Sequence, residues 1–331
     1  MEKKQGKVAS DKSAIVEALP RACCDETAAV EFFEAQRWAE TGPCCPHCGG
    51  VDVYKMRDRK TGERSKRFLW RCRDCAKQYT VRINSVYEDS AIPMRHWAYG
   101  FWKACSSKKG VSALQIKRET GLSYKSALFM MHRIRFAMTP NRMNARPLHG
   151  IIEADEAFIG GRDKNRHWRD RSHRQGNRHA PVPVLALLER GGDVRTWHIA
   201  NVTAQNVGSI IRANVNPENS TLMTDEALHY PTIGKEFGGG HFAVNHAREE
   251  YARGSISSNG AESVFALLKR GIYGTFHSVS RKHLHRYLAE FDFRFNARKI
   301  DDGARVALAI QGANCRRLRY TDQVGRHALR A

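Results

Sequence analysis

From Gly150 onward the apolar positions follow strand periods broken by one helical interval. GIIEADEAF reads as a strand that carries three acidic side chains within four positions. PVPVLALLERGGDVRTWHIANV has two apolar runs around Gly191 and Gly192, the pattern of a β-hairpin. TAQNVGSIIRANV is spaced as an amphipathic helix, STLMTDEALHY as a short strand ending in Asp225, and GGGHFAVNHA as a further strand. SSNGAESVFALLKRGIYG then predicts a helix beginning near Asn259. The order β-β-β-α-β, followed by another strand and helix, is what an RNase H-like (retroviral-integrase-like) α/β core produces.

Upstream the period is helical. IPMRHWAYGFWKACSS predicts one helix, and SALQIKRETGLSYKSALFMMHRIRFAM predicts two, joined at Gly121, the second capped by Ser123. Ala113, Leu114 and Ile116 would face Ala127, Leu128 and Met131, leaving Tyr124, Lys125 and Arg133 outward. This is the pattern of a helix-turn-helix whose recognition helix starts near Ser123. The chain as a whole reads as multidomain α+β. Its expected parts are an N-terminal helical segment (1–40), a zinc ribbon (41–85), a helix-turn-helix DNA-binding domain (90–140), an RNase H-like catalytic domain (148–300) and a C-terminal tail (301–331).

Charge narrows the class of partner. The 331 residues hold 55 Lys and Arg against 34 Asp and Glu, a formal net charge of +21, which points to a polyanion and most directly to nucleic acid. No apolar run reaches the roughly 18 residues needed to cross a bilayer, and MEKKQGKVASDKS lacks the apolar core of a secretory signal. An intracellular, cytoplasmic and nucleoid-associated protein without a membrane partner is expected.

The cysteines supply the first site. In a reducing compartment, thiols at close spacing read as metal ligands, and Cys45-Pro-His-Cys48 with Cys72-Arg-Asp-Cys75, 23 residues apart, form two C-x-x-C knuckles. Each knuckle can turn two thiolates onto one tetrahedral Zn²⁺, giving one structural zinc, with Cys44 competing with Cys45 for the first position. Arg57, Arg59, Lys60, Arg64, Lys66, Arg67, Arg71 and Arg73 surround the knuckles, interleaved with Phe68, Trp70 and Tyr79, a composition suited to phosphate contact.

The acidic strand supplies the second. Carboxylates gathered inside a positively charged protein are costly unless cations neutralise them, and two Mg²⁺ or Mn²⁺ ions bridging a shared Asp would do so. Strand alternation puts Glu153 and Asp155 on one face and Glu156 on the other, so the pattern alone does not choose among them.

FFEAQRWAETGPCCPHCGG, CRDCAKQYTVR, IIEADEAFIGG, LMTDEA, VNHA and NGAESVFALLKRGIYGTFHSVSRKHLHRYLAEFDFRFNAR together resemble the DDE transposases of bacterial insertion sequences that carry an N-terminal zinc ribbon. The resemblance spans roughly residues 31 to 300 and is most specific from Asn259 to Arg298. It implies DNA cleavage at transposon ends and strand transfer into target DNA. By position, its catalytic and Mg²⁺-binding acids fall on Asp155, Asp225 and Glu262, with 36 residues between the last two, and His246 falls near the active site. Lys269 lies seven residues after Glu262 on one helical face and, with its neighbour Arg270, is a candidate phosphate contact. The basic loop from Arg162 to Arg178, with Arg166 and Arg169 at its centre, is expected to track the DNA backbone.

The partners expected are double-stranded DNA, both as terminal inverted repeats and as target, and further copies of the chain as a dimer or higher oligomer on DNA. Two other classes fit parts of the pattern. A zinc-ribbon and helix-turn-helix regulator would bind DNA without cutting it, and a structure-selective nuclease or resolvase on the same core would cut without joining.

Overall fold

The computed structural model describes residues 14–39, 41–140, 145–160, 181–225, 230–244 and 258–324. The chain divides into two units, one made of Met1–Ser106, Ile116–Ala137 and Lys299–Tyr320, the other of Ser107–Gln115, Met138–Arg298 and Thr321–Ala331.

The first unit begins with helices α1 (Ala14–Cys24) and α2 (Glu26–Arg37). Asp25 between them accepts the Ala28 N–H at 2.7 Å, so the break in the helix is also the start of the next one. A small antiparallel sheet follows, β1 (Val53–Lys55), β2 (Trp70–Cys72) and β3 (Gln78–Tyr79), in that spatial order. Three such short strands cannot hold together alone. They are fixed to α2 by Glu34, whose buried carboxylate takes both Nη groups of Arg64 and the indole N–H of Trp70 at 2.7 Å. Trp70 and Tyr79 are buried and stacked, with Trp38 edge-on to both. These aromatic residues are therefore the ribbon's core and not a surface for nucleic acid. Arg57, Arg59, Lys60, Lys66, Arg67 and Arg73 remain exposed.

Next come α3 (Met94–Ser106), α4 (Ala113–Thr120) and α5 (Tyr124–Ala137). The Glu26 carboxylate caps α3 from a distance, accepting the Met94 and Arg95 N–H groups at 2.8 and 3.1 Å. Gly100 lets α5 approach closely, because a Cβ there would lie 2.9 Å from Ile134 Cδ1. Gly121 has φ +74, the left-handed conformation that ends α4, and Ser123 Oγ accepts the Ser126 N–H at 3.1 Å where α5 starts. Ile116, Ala127 and Met131 are fully buried as the apolar pattern required, but Leu114 is 52% exposed and belongs to no core.

In the second unit, β4 (Leu148–Ile159), β5 (Val182–Glu189), β6 (Val194–His198), β7 (Val215–Asp225) and β8 (His241–Val244) form one sheet in the order β6-β5-β4-β7-β8. The first three strands are antiparallel neighbours, while β7 and β8 run parallel to β4. VPVLALLE is apolar at almost every position because both faces of β5 are covered. Leu185 and Leu187 pack towards α6 (Ala204–Asn214) and α7 (Tyr230–Gly234), through Val207, Ile211 and Ile233. Val184 and Ala186 pack the other way, against Phe265 and Leu268 of α8 (Asn259–Gly271) and Leu288 and Phe291 of α9 (Leu284–Asn296). The result is three layers with β4 at the centre.

Residues 301–311 are not loose chain. Asp301 caps α10 (Asp302–Gln311), and Val306, Ala309 and Ile310 are buried in the first unit, where α10 packs on α3. No helix among the described residues is long and apolar enough to cross a membrane.

Candidate functional site

The sulfur cluster forms where two tight turns of the ribbon meet. Gly49 follows the first cysteine pair at φ +78, and Ala76 follows the second at φ 57, so both turns use the same left-handed residue just after their last cysteine. The Sγ atoms of Cys45, Cys48, Cys72 and Cys75 lie within 4.8 Å of one another, with Cys45 to Cys75 and Cys48 to Cys72 each 3.7 Å. Thiolates held about 2.3 Å from a common ion at tetrahedral angles stand about 3.8 Å apart, so the spacing is that of a structural zinc site. Cys44 is not one of the four. Among the described residues this is the one such group of His, Cys, Asp or Glu gathered so tightly.

The second site lies on the α8 face of β4. A strand buried on both sides should not carry Glu153, Asp155 and Glu156 unless each is compensated. Two of them are. Glu153, 2% exposed, accepts Arg190 Nε at 2.8 Å and the Ala261 N–H at 3.0 Å. Glu156 points to the opposite face, where the buried Tyr230 hydroxyl donates to it at 2.6 Å.

Among the described residues Asp155 has no such cation, and the hydrogen bond it accepts from them comes from the Glu156 N–H, at 2.7 Å. Burial, together with the charges of Asp225, Glu156 and Glu262, pushes its carboxyl up to about 7, against the lowering effect of that bond. The three acids that the alternating pattern left alike thus differ in their partners.

Topology brings the other two acids in. The parallel register pairs Ile151 to Glu153 with Thr221 to Met223. Continued by two residues, it sets Asp155 level with Asp225, the last residue of β7. Glu262 lies in the first turn of α8, exposed, on the helix that covers this same face of the sheet. The N-cap of α8 is Ser258, so Asn259 is the first helical residue and Glu262 the fourth.

Lys269 and Arg270 are exposed in the last turn of α8, Lys269 on the side that carries Glu262 and Arg270 beside it. Tyr124 and Lys125 are exposed at the start of α5, with the Lys125 ammonium over the Tyr320 ring at 4.9 Å. Arg133 differs from expectation. It is half-buried, and its Nη1 donates to the carbonyls of Val86 and Glu88 at 3.2 and 3.0 Å, which ties α5 to the loop before α3. Arg166, Arg169 and His246 lie outside the described residues.

Two families match this chain. Residues 24–78 match the transposase zinc-ribbon domain, and residues 147–296 match the ISXO2-like transposase domain. An uncharacterized protein in the transposable element ISH50 of Halobacterium salinarum is 25% identical over 277 residues, covering 81% of this chain and 90% of the relative.

Proposed function

Because this chain belongs to the insertion-sequence transposases that carry an N-terminal zinc ribbon, we propose that it cuts phosphodiester bonds at transposon ends and joins the freed 3′-hydroxyl to target DNA. The observation that carries this reading is that Asp225, level with Asp155 in the continued parallel register, and Glu262, at the start of the helix over the same face, are near enough for their charges to act on the Asp155 carboxyl. The sheet order, three antiparallel strands with two parallel ones added beside the first, supports an RNase H-like core.

Three hard oxygen donors, with the charges of Asp225 and Glu262 adding to the proton affinity of Asp155, fit Mg²⁺ or Mn²⁺, and Asp155, Asp225 and Glu262 would hold two such ions. When bound, the ions would activate a water or a 3′-hydroxyl and stabilise the leaving oxygen of the phosphodiester. The chain itself supplies the rest. Asp155 must be ionised to act, Asp225 faces it across the parallel ladder, and Glu262 closes the set from α8. Lys269 and Arg270, further along α8, are placed to pair with DNA phosphates. No nucleophilic Ser or Tyr is required.

The α4 and α5 pair, with its left-handed Gly121 and Ser123 cap, is read as a helix-turn-helix presenting Tyr124 and Lys125 to DNA. The exposed arginines and lysines of the ribbon add phosphate contacts. On this reading two copies or more assemble to pair the element's ends.

Incubating the protein with end-containing duplex and Mg²⁺, then mapping products, tests the proposal. Cleavage at the ends with joining to an unrelated duplex is the expected result. Binding without any cut would leave a DNA-binding regulator, and cutting without joining a nuclease or resolvase. If α5 reads the ends, Tyr124→Ala with Lys125→Ala should erase the preference for end duplex over random duplex in competition binding.

A further inference from the structure

We propose that Glu153 is a positioning residue, which sets Glu262 against Asp155 by holding the first turn of α8 to β4. Resting on the assignment of Glu262 as a metal-binding acid, it adds a residue that touches neither metal nor DNA.

The first turn of a helix leaves its N–H groups without intrahelical partners, and the residue before the helix usually supplies an acceptor. In α8 that residue is Ser258, which makes no side-chain capping bond. The acceptor comes from the sheet instead. Glu153 Oε2 receives the Ala261 N–H at 3.0 Å, and Ala261 is the residue immediately before Glu262. A carboxylate at a helix N-terminus also gains from the helix dipole, and this one is 2% exposed, so solvent screens the attraction little.

The acceptor is itself fixed. Glu153 Oε1 is held by Arg190 Nε at 2.8 Å, from the turn that links β5 to β6. Gly260 records how closely helix and strand approach, because a Cβ there would lie 2.6 Å from Glu153 Oε2 and 2.5 Å from Leu188 Cδ2. Glu153 and Asp155 are on one face of β4, two residues and so about 7 Å apart along the strand. One strand therefore carries an acid of the cluster and the clamp that delivers another.

The test is Mn²⁺ binding to the full-length, zinc-loaded protein, followed by electron paramagnetic resonance, for the wild type, Glu153→Gln, Glu262→Gln and the double variant. Residues supporting a metal ligand typically alter affinity 10- to 100-fold. Glu153→Gln should weaken Mn²⁺ about tenfold on that scale. In the Glu262→Gln background the same change should be under about twofold. A long-range charge effect of Glu153 would persist in both backgrounds, so equal losses overturn the proposal, as does no loss in the wild-type background. A Glu262→Gln protein that binds Mn²⁺ as the wild type does overturns the metal assignment itself, and this proposal with it.

Gly260→Ala serves if Glu153→Gln does not fold. It keeps Glu153 and Arg190 and favours helix, yet crowds the clamp. A weaker Mn²⁺ affinity at unchanged helix content is expected, and unaltered affinity overturns the idea.

Discussion

Two residues separate Cys45 from Cys48, and two separate Cys72 from Cys75, whereas 69 residues separate Asp155 from Asp225 and 36 more lie before Glu262. The thiols are collected by local turns, each with a left-handed residue at its end, and their sulfurs already stand at zinc spacing. The carboxylates are collected by a sheet and a helix, and no three of them among the described residues approach as closely. A closed structural site has to bind its ion and nothing else. A site that acts on DNA must leave room for ions, water and phosphate oxygens. The looser gathering suits the proposed second task.

The widest separation between the two sites should appear in Asp155→Asn. End cleavage and joining should fall by on the order of a thousandfold or more, with zinc content unchanged by metal analysis. Loss of zinc from this variant would break the comparison. The converse is Cys72→Ser, which should lose zinc and unfold the ribbon while the sheet unit retains its cooperative transition in calorimetry. Full zinc retention would reject the sulfur site.

Glu34 probes what the ribbon needs besides metal. Glu34→Ala strands Arg64 in a largely buried setting, and breaking a buried pair in this way costs about 3–5 kcal/mol. Denaturant titration should place that loss in the first unit, and a change under about 1 kcal/mol would mean that zinc alone holds the ribbon.

Protons sharpen the contrast next. Without Mg²⁺ the folded chain keeps a proton on Asp155 up to about pH 7, against an ordinary value of 3.8. Between those values the folded state binds more protons than the unfolded one, so stability falls as pH rises through the window. The thermal midpoint of zinc-loaded, magnesium-free protein should therefore drop from pH 6 to pH 8, and added Mg²⁺ should restore it most at pH 8. A midpoint rising over that interval would contradict the raised proton affinity of Asp155. Smallest of all, Ala76→Gly should stabilise the ribbon by about 1 kcal/mol, since a left-handed alanine is strained by about that amount and glycine is not. Chemical denaturation would measure the difference.

The strands and helices of the sheet unit were legible because their periods are strong. The apolar run of β5, the Gly191 turn and the amphipathic spacing of α6 each announce one element. The knuckles were legible for the same local reason. What the pattern could not show was pairing. Glu153, Asp155 and Glu156 are alike in sequence, and only Arg190, Ala261 and Tyr230 tell them apart. Arg133 looked outward by helical spacing, but carbonyls of Val86 and Glu88 lie within its reach. Trp70 and Tyr79 looked like part of a phosphate-contacting run beside so many arginines, yet Glu34 and Trp38, from a distant segment, cover them. Each of these depends on a neighbour far along the chain, where periodicity carries no information.

The order of elements around β4 also fixes an order in time. A ribosome that has released β4 has made Asp155, but Asp225 follows 70 residues later and Glu262 a further 37. At about 5–20 residues per second, roughly 5 to 20 s pass before the last acid emerges. Cysteine knuckles, by contrast, are complete by residue 75. The nascent protein thus acquires its zinc fold first and its proposed cutting centre last, and a chain broken off during synthesis before α8 would carry no complete centre with which to damage the chromosome.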